Sequence, residues 1–131
     1  MIQPADTTVV HLSTVHHTHD NRVFNKEARA MAEAGYDFHL VIRADRDGVD
    51  DGVPIIALHP GGRLRRLVCG QREAWSVLER LCPDVLQIHD PELIPMALVF
   101  KARSGCAVIY DAHEDLVGQI DTKPYLNRLT R

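Results

Sequence analysis

The chain has 131 residues, of which 45% are hydrophobic and 25% charged, with a formal charge of −3. That length fits one domain, able to bury roughly two thirds of its unfolded surface around a single core. The mild negative charge excludes a general attraction to nucleic acid or anionic lipid and leaves only local basic patches.

Cysteine usage and the N-terminus narrow the class further. Cys69, Cys82 and Cys106 form no CxxC, which argues against a disulfide framework or zinc ribbon and for buried, reduced thiols in a cytosolic protein. The opening MIQPADTT lacks the basic and apolar regions of a secretory signal. No apolar run approaches the roughly 20 residues of a membrane-spanning helix.

In chain order, TTVVHLS (7–13) is β-branched and apolar and predicts a first strand. Asp20 or Asn21 can cap the helix that follows, in which Phe24, Ala28, Met31 and Ala32 make one apolar stripe and Gly35 supplies the stop. YDFHLVI (36–42) predicts a second strand, RADRDGVDDG (43–52) a polar connection, and VPIIAL (53–58) a third, short strand. Ten linking residues are few for a helical crossover, so the direction of this strand stays open; Pro54, lacking an N–H, suits an edge position. HPGGRLRR turns into a helix with Val68, Trp75, Leu78 and Leu81 near helical spacing, ending at Cys82 before a proline. DVLQIH (84–89) predicts a fourth strand, PELIPMALVFKARSG (91–105) a helix opened by Pro91 and closed by Gly105, and CAVIYD (106–111) a fifth strand covered on both faces. KPYLNRLTR starts another helix.

This alternation predicts an α/β, Rossmann-like, doubly wound and mainly parallel sheet in the order 3-2-1-4-5, with helices on both faces. In such sheets ligands sit beyond the carboxyl ends of the strands, near the switch point. The first, fourth and fifth strands would be neighbours, and TVHHTHD, HDPE and DAHED follow them. Their ends would bring His16, His17, His19, Asp20, His89, Asp90, Glu92, Asp111, His113 and Glu114 onto one rim, a set holding five of the eight histidines. Singly, each has a plainer role: a histidine at a strand end as a backbone hydrogen-bonder, an aspartate as a cap or turn former. Two helix N-termini aimed at the same rim favour an anionic ligand.

Other chemistries fit less well. His, Asp and Glu suit a metal, but HHTHD lies on a loop without the i, i+4 geometry of HExxH, and no cysteine joins it. No GxSxG elbow supports nucleophilic catalysis, and no GxGxxG or Walker loop follows the first strand. GGRLRRL gathers Arg63, Arg65 and Arg66, either as a solvated helix start or as a contact for acidic headgroups or a phosphorylated acceptor. Trp75, with Leu78 and Leu81, fits the core.

The segments HTHDNRVFNKEARAMAEAGYDFHLV, GVPIIALHPGGRLRRL, DVLQIHDPELIPMAL and VIYDAHED resemble the N-terminal domain of the family 4 retaining glycosyltransferases, particularly those that build cell-surface polysaccharides. The likeness runs from about His11 to the end, and HDPELIP with YDAHED, in order at strand ends, is its most specific part. The resemblance implies a GT-B enzyme: two Rossmann-like domains around a cleft, the N-terminal one holding a glycan or lipid-linked acceptor and the C-terminal one the nucleotide-sugar donor, with no metal or other cofactor. It implies that His113 contacts the transferred sugar, that His89, Asp90, Pro91 and Glu92 line the cleft, and that Asp20, Asp90 or Glu114 orients hydroxyls or helps take the acceptor proton. His113, Asp90 and Glu114 are thus the catalytic candidates; His16, His17, His19, Asp20, Arg22, His89, Glu92 and Asp111 are the substrate-binding ones. Many relatives carry a glycine pair in the first loop that touches donor phosphates. Here HHTHDNR stands in its place, so histidines or Arg22 take over that contact.

The donor motif ExxxxxxxE is missing, and the sequence stops where a second domain is expected to begin. The expectation is an excised domain or a natural half that needs its C-terminal donor domain in cis or from a partner chain and is inactive alone. Its expected place is the cytoplasm, with a peripheral membrane contact through Arg63, Arg65 and Arg66, and nucleic acid is not an expected partner. Two other classes remain: a metal-dependent hydrolase or deacetylase using the same rim, and a non-catalytic carbohydrate-binding module.

Overall fold

The computed structural model describes residues 3–17, 22–50, 52–59 and 62–111. The expected helix in KPYLNRLTR lies outside them. The elements are β1 (Thr8–His17), α1 (Arg22–Glu33), β2 (Asp37–Arg43), β3 (Gly48–Asp50), β4 (Val53–Leu58), α2 (Arg63–Arg65), α3 (Gln71–Leu81), β5 (Val85–Ile88), α4 (Ile94–Ser104) and β6 (Ala107–Tyr110). A π-helical turn at Arg66–Gly70 joins α2 to α3, and a 3-10 turn at Pro91–Leu93 leads into α4.

One sheet carries all six strands in the order β3-β4-β2-β1-β5-β6, parallel except for β3. The five strands expected from the sequence stand in the expected order, and the short edge strand β3 is the addition. It answers the open question of direction. The chain leaves the carboxyl end of β2, returns as β3 antiparallel to β4, and turns at Gly52 (φ 81°) so that β4 runs parallel to β2 without a helix. Pro54 is therefore not at the edge. It faces Val49 of β3, and near the carboxyl end of β4 the Asp47 carboxylate takes over the outer side by accepting from the Ala57 N–H at 2.7 Å.

The sheet has two covered faces, set by side-chain alternation along each strand. On one, Val9, Phe38, Leu40, Ile42 and Val53 pack against Ala28, Met31 and Ala32 of α1. On the other, Val10, Leu12, Val41, Leu58, Leu86 and Ile88 meet Ala74, Val77 and Leu78 of α3 and Met96, Ala97 and Phe100 of α4. Trp75 packs edge-on against Phe100, with ring centroids 5.3 Å apart, as its reading as core requires. Register is pinned at the amino edge. Asp84 accepts from the Thr8 N–H through its carboxylate at 2.8 Å while donating its own N–H to the Thr8 carbonyl, also at 2.8 Å.

Three expectations are corrected. Val68 does not join the α3 stripe: it is 61% exposed, because the π turn inserts a residue and rotates it out of phase with Trp75 and Leu78. Cys69 and Cys82 are exposed, and only Cys106 is buried. Cys82 ends α3 in the left-handed region (φ 49°), a position that points its side chain outward. Among the described residues β6 is not covered on both faces: Val108 and Tyr110 pack on the α4 side, while Ala107 and Ile109 are exposed on the other, where α1 packs over β2 and β4.

Candidate functional site

The site begins as a consequence of strand order. β1, β5 and β6 are adjacent and parallel, so their carboxyl ends share an edge. The ladder continues one step past the regular strands: the His89 N–H donates to the Leu12 carbonyl at 3.2 Å and the Asp111 N–H to the Ile88 carbonyl at 3.0 Å. These bonds hold the polar tips in register.

Two polar constellations result. The first is a clamp around Asp90, which is only 2% exposed. Its carboxylate accepts from the Ser13 hydroxyl at 3.0 and 3.1 Å and from the Thr14 N–H at 2.7 Å. The Thr14 hydroxyl donates to Glu92 at 2.8 Å, and the Gln71 amide of α3 donates to the Glu92 carbonyl at 3.0 Å. The end of β1, the HDPE turn and the start of α3 are thereby tied together. A buried carboxylate is tolerated only with such donors, so Ser13 and Thr14 explain why an aspartate can stand there.

The second lies on the α1 face, where the register pairs His11 with Gln87 and Gln87 with Ile109. His11 (2% exposed) sits edge-on to Phe38, centroids 4.7 Å apart, and 5.4 Å from the His89 ring. Burial pushes its pKa down from 6.5 to about 4, with the Asp111 charge pulling part of the way back. His11 is therefore neutral at neutral pH. His89 Nδ1 faces Asp111 Oδ2 at 4.0 Å. The Gln87 amide donates to Asp111 at 3.1 Å and to Glu27 of α1 at 3.4 Å. His11, Glu27 and His89 each offer one ligand atom within 4.8 Å of the others.

Of the residues named from the sequence, His89, Asp90, Glu92 and Asp111 are brought to one edge. His16 and His17 lie in the last turn of pleat of β1, and Arg22 opens α1, with their side chains outside the description. His19, Asp20, His113 and Glu114 lie outside the described residues. Arg63 and Arg65 bound the single turn α2 and Arg66 opens the π turn, flanked by Leu64 (81% exposed) and Val68. Sequence reasoning missed Ser13, Thr14, His11, Glu27 and Gln87. The available signal was polar residues at alternate positions 11 and 13 inside a β-branched run, on the strand expected to be most buried.

A family model described as glycosyl transferase 4-like domain matches residues 21–131. The chain belongs to that family. Membership agrees with the Rossmann-like sheet. Comparison with curated proteins and with solved structures gave no match. Among the described residues no helix of this glycosyltransferase 4-like domain is long and apolar enough to cross a membrane.

Proposed function

We propose that this domain forms the acceptor-side wall of a retaining GT-B glycosyltransferase that moves a sugar from a nucleotide-sugar donor to a glycan or lipid-linked acceptor in polysaccharide synthesis. The observation that carries the reading is the common carboxyl edge of β1, β5 and β6, which brings the half-buried Glu92 and Asp111 to its rim while the His89 side chain packs beneath it. A polar rim on a rigid parallel sheet suits hydroxyl-rich ligands, since strands hold donors and acceptors at fixed separations.

In this reading His113 hydrogen-bonds the donor sugar, and His16, His17, His19 and Arg22 face donor phosphates or acceptor. Asp20 or Glu114 takes the acceptor proton. Asp90 works as a positioning residue: its carboxylate is committed to Ser13 and Thr14, so it fixes the loop that presents Glu92. The transfer draws on no metal. An open rim leaves the leaving phosphate solvated, so these 131 residues need a donor-binding domain, in cis or from a partner chain, to close the cleft. Exposed Leu64 and Val68 beside Arg63, Arg65 and Arg66 form the contact with an anionic membrane surface, at the cytoplasmic face.

The test is His113→Ala in the enzyme with both domains. Turnover falls by about tenfold or more, as when a positioned hydrogen-bond donor is removed; an unchanged rate removes His113 from the mechanism. Transfer by the 131-residue chain alone would refute the two-sided site.

A further inference from the structure

His11 is a buried imidazole on the α1 face, in a row otherwise filled by Val9, Phe38 and Ala28. It precedes residues 21–131, which match the family model, and the proposed transfer does not use it. Around it stand groups from three other elements: Glu27 of α1, His89 after β5 and Asp111 after β6. The ligand atoms of His11, Glu27 and His89 lie within 4.8 Å of one another. We propose that His11, Glu27 and His89 form a transition-metal site that braces α1 against the sheet, with Asp111 and Gln87 as its outer shell.

The chemistry of the donor set selects the ion. Two imidazoles and a carboxylate prefer zinc, cobalt or iron(II) to magnesium or calcium, which take all-oxygen sites. Ligands about 2.1 Å from a tetrahedral ion lie roughly 3.4 Å apart, so the trio must close by about 1.4 Å at its widest. Glu27, with a flexible side chain borne on a helix, can supply part of that movement, and small rotations of His11 on β1 and His89 just after β5 supply the rest. The surroundings match an outer shell. Asp111 faces the Nδ1 of His89, the arrangement that orients a metal-bound histidine through its other nitrogen. Gln87 donates from one nitrogen to Glu27 and Asp111 together, so both carboxylates converge on one point. Two carboxylates and two neutral imidazoles balance a divalent ion.

The histidines of the HHTHD loop are not part of this site, and the proposal does not rest on the glycosyltransferase reading. The experiment strips the 131-residue chain with chelator, then titrates zinc(II) by calorimetry and cobalt(II) by visible absorption. The expected result is one equivalent bound per chain, with tetrahedral cobalt bands. Affinity falls by about tenfold or more in Glu27→Gln and in His11→Gln and is kept in His17→Ala and His19→Ala. Glu27 is only half-buried, so its variant keeps the test valid if His11→Gln misfolds, which circular dichroism reports. No saturable binding, binding indifferent to Glu27→Gln, or binding lost in His17→Ala or His19→Ala instead, each overturns the site. The last outcome would point to a metal hydrolase rim.

Discussion

The clamp around Asp90 makes the sharpest prediction. Replacing Asp90 by Ala leaves two buried donors, the Ser13 hydroxyl and the Thr14 N–H, facing a void where a carboxylate stood at 2.7–3.1 Å. Each buried unsatisfied donor costs about 1–3 kcal/mol, and the bond to the charged acceptor is the stronger kind, so the loss should be about 3 kcal/mol. Asp90→Asn behaves differently. Its carbonyl can take the Oδ2 place and keep the Thr14 N–H, while its amide donates to the Ser13 hydroxyl, which rotates to accept. That variant should lose about 1 kcal/mol. Urea unfolding followed by far-ultraviolet circular dichroism measures both, with the slope of the transition checked for constancy. Equal losses in the two variants, or a loss below about 1 kcal/mol for Asp90→Ala, would refute the claim that donor satisfaction holds the HDPE turn. In the two-domain enzyme Asp90→Asn should retain more turnover than Asp90→Ala, because the positioning is kept.

Three further outcomes follow from the same structure. His11 has a folded pKa of about 4 against 6.5 unfolded. The unfolded chain thus binds more protons between these values, and stability is lost as the pH falls from about 6.5 toward about 4, by about 2 kcal/mol at about pH 5. Urea titrations in chelator, comparing the chain with His11→Leu, should show that dependence in the former and not the latter; Glu27, His89 and Asp111, the titratable groups around His11, remain in both. Cys82→Gly should raise stability by about 0.5 kcal/mol, because glycine removes the Cβ strain at φ 49° while losing the thiol bond to the Glu79 carbonyl and some unfolded-state entropy; a drop in melting temperature would count against this. Leu86→Ala, on a side chain with no exposed surface, should cost about 3 kcal/mol, and a denaturation midpoint close to the parent's would contradict the placement of β5 in the core.

The order of elements was legible because local chemistry carries it. VPIIAL became β4 at the expected residues 53–58, and Gly35 and Gly105 take the positive φ that their stop positions need (91° and 78°). The missed strand β3 also had a local signal: Asp51-Gly52 between Val49 and Val53 is the dipeptide of a tight hairpin, masked by the polar run around it. Val68 was misplaced because the π turn between α2 and α3 breaks a period that the sequence shows as continuous.

The site divides in the same way. The sequence alone determined that His89, Asp90, Glu92 and Asp111 fall at the ends of strands, since strand ends are marked by where apolar alternation stops. It also carried the family, through motifs spread along residues 21–131. Only the tertiary structure decided which of these groups are partners. Asp90 meets Ser13 and Thr14 across 77 and 76 residues of chain, and His11 meets Glu27 and His89 because β1 pairs with β5 and α1 covers that face of the sheet. Sequence spacing encodes direction along one strand; contact between strands depends on register and on which face each helix covers, and those are set by packing the whole core at once.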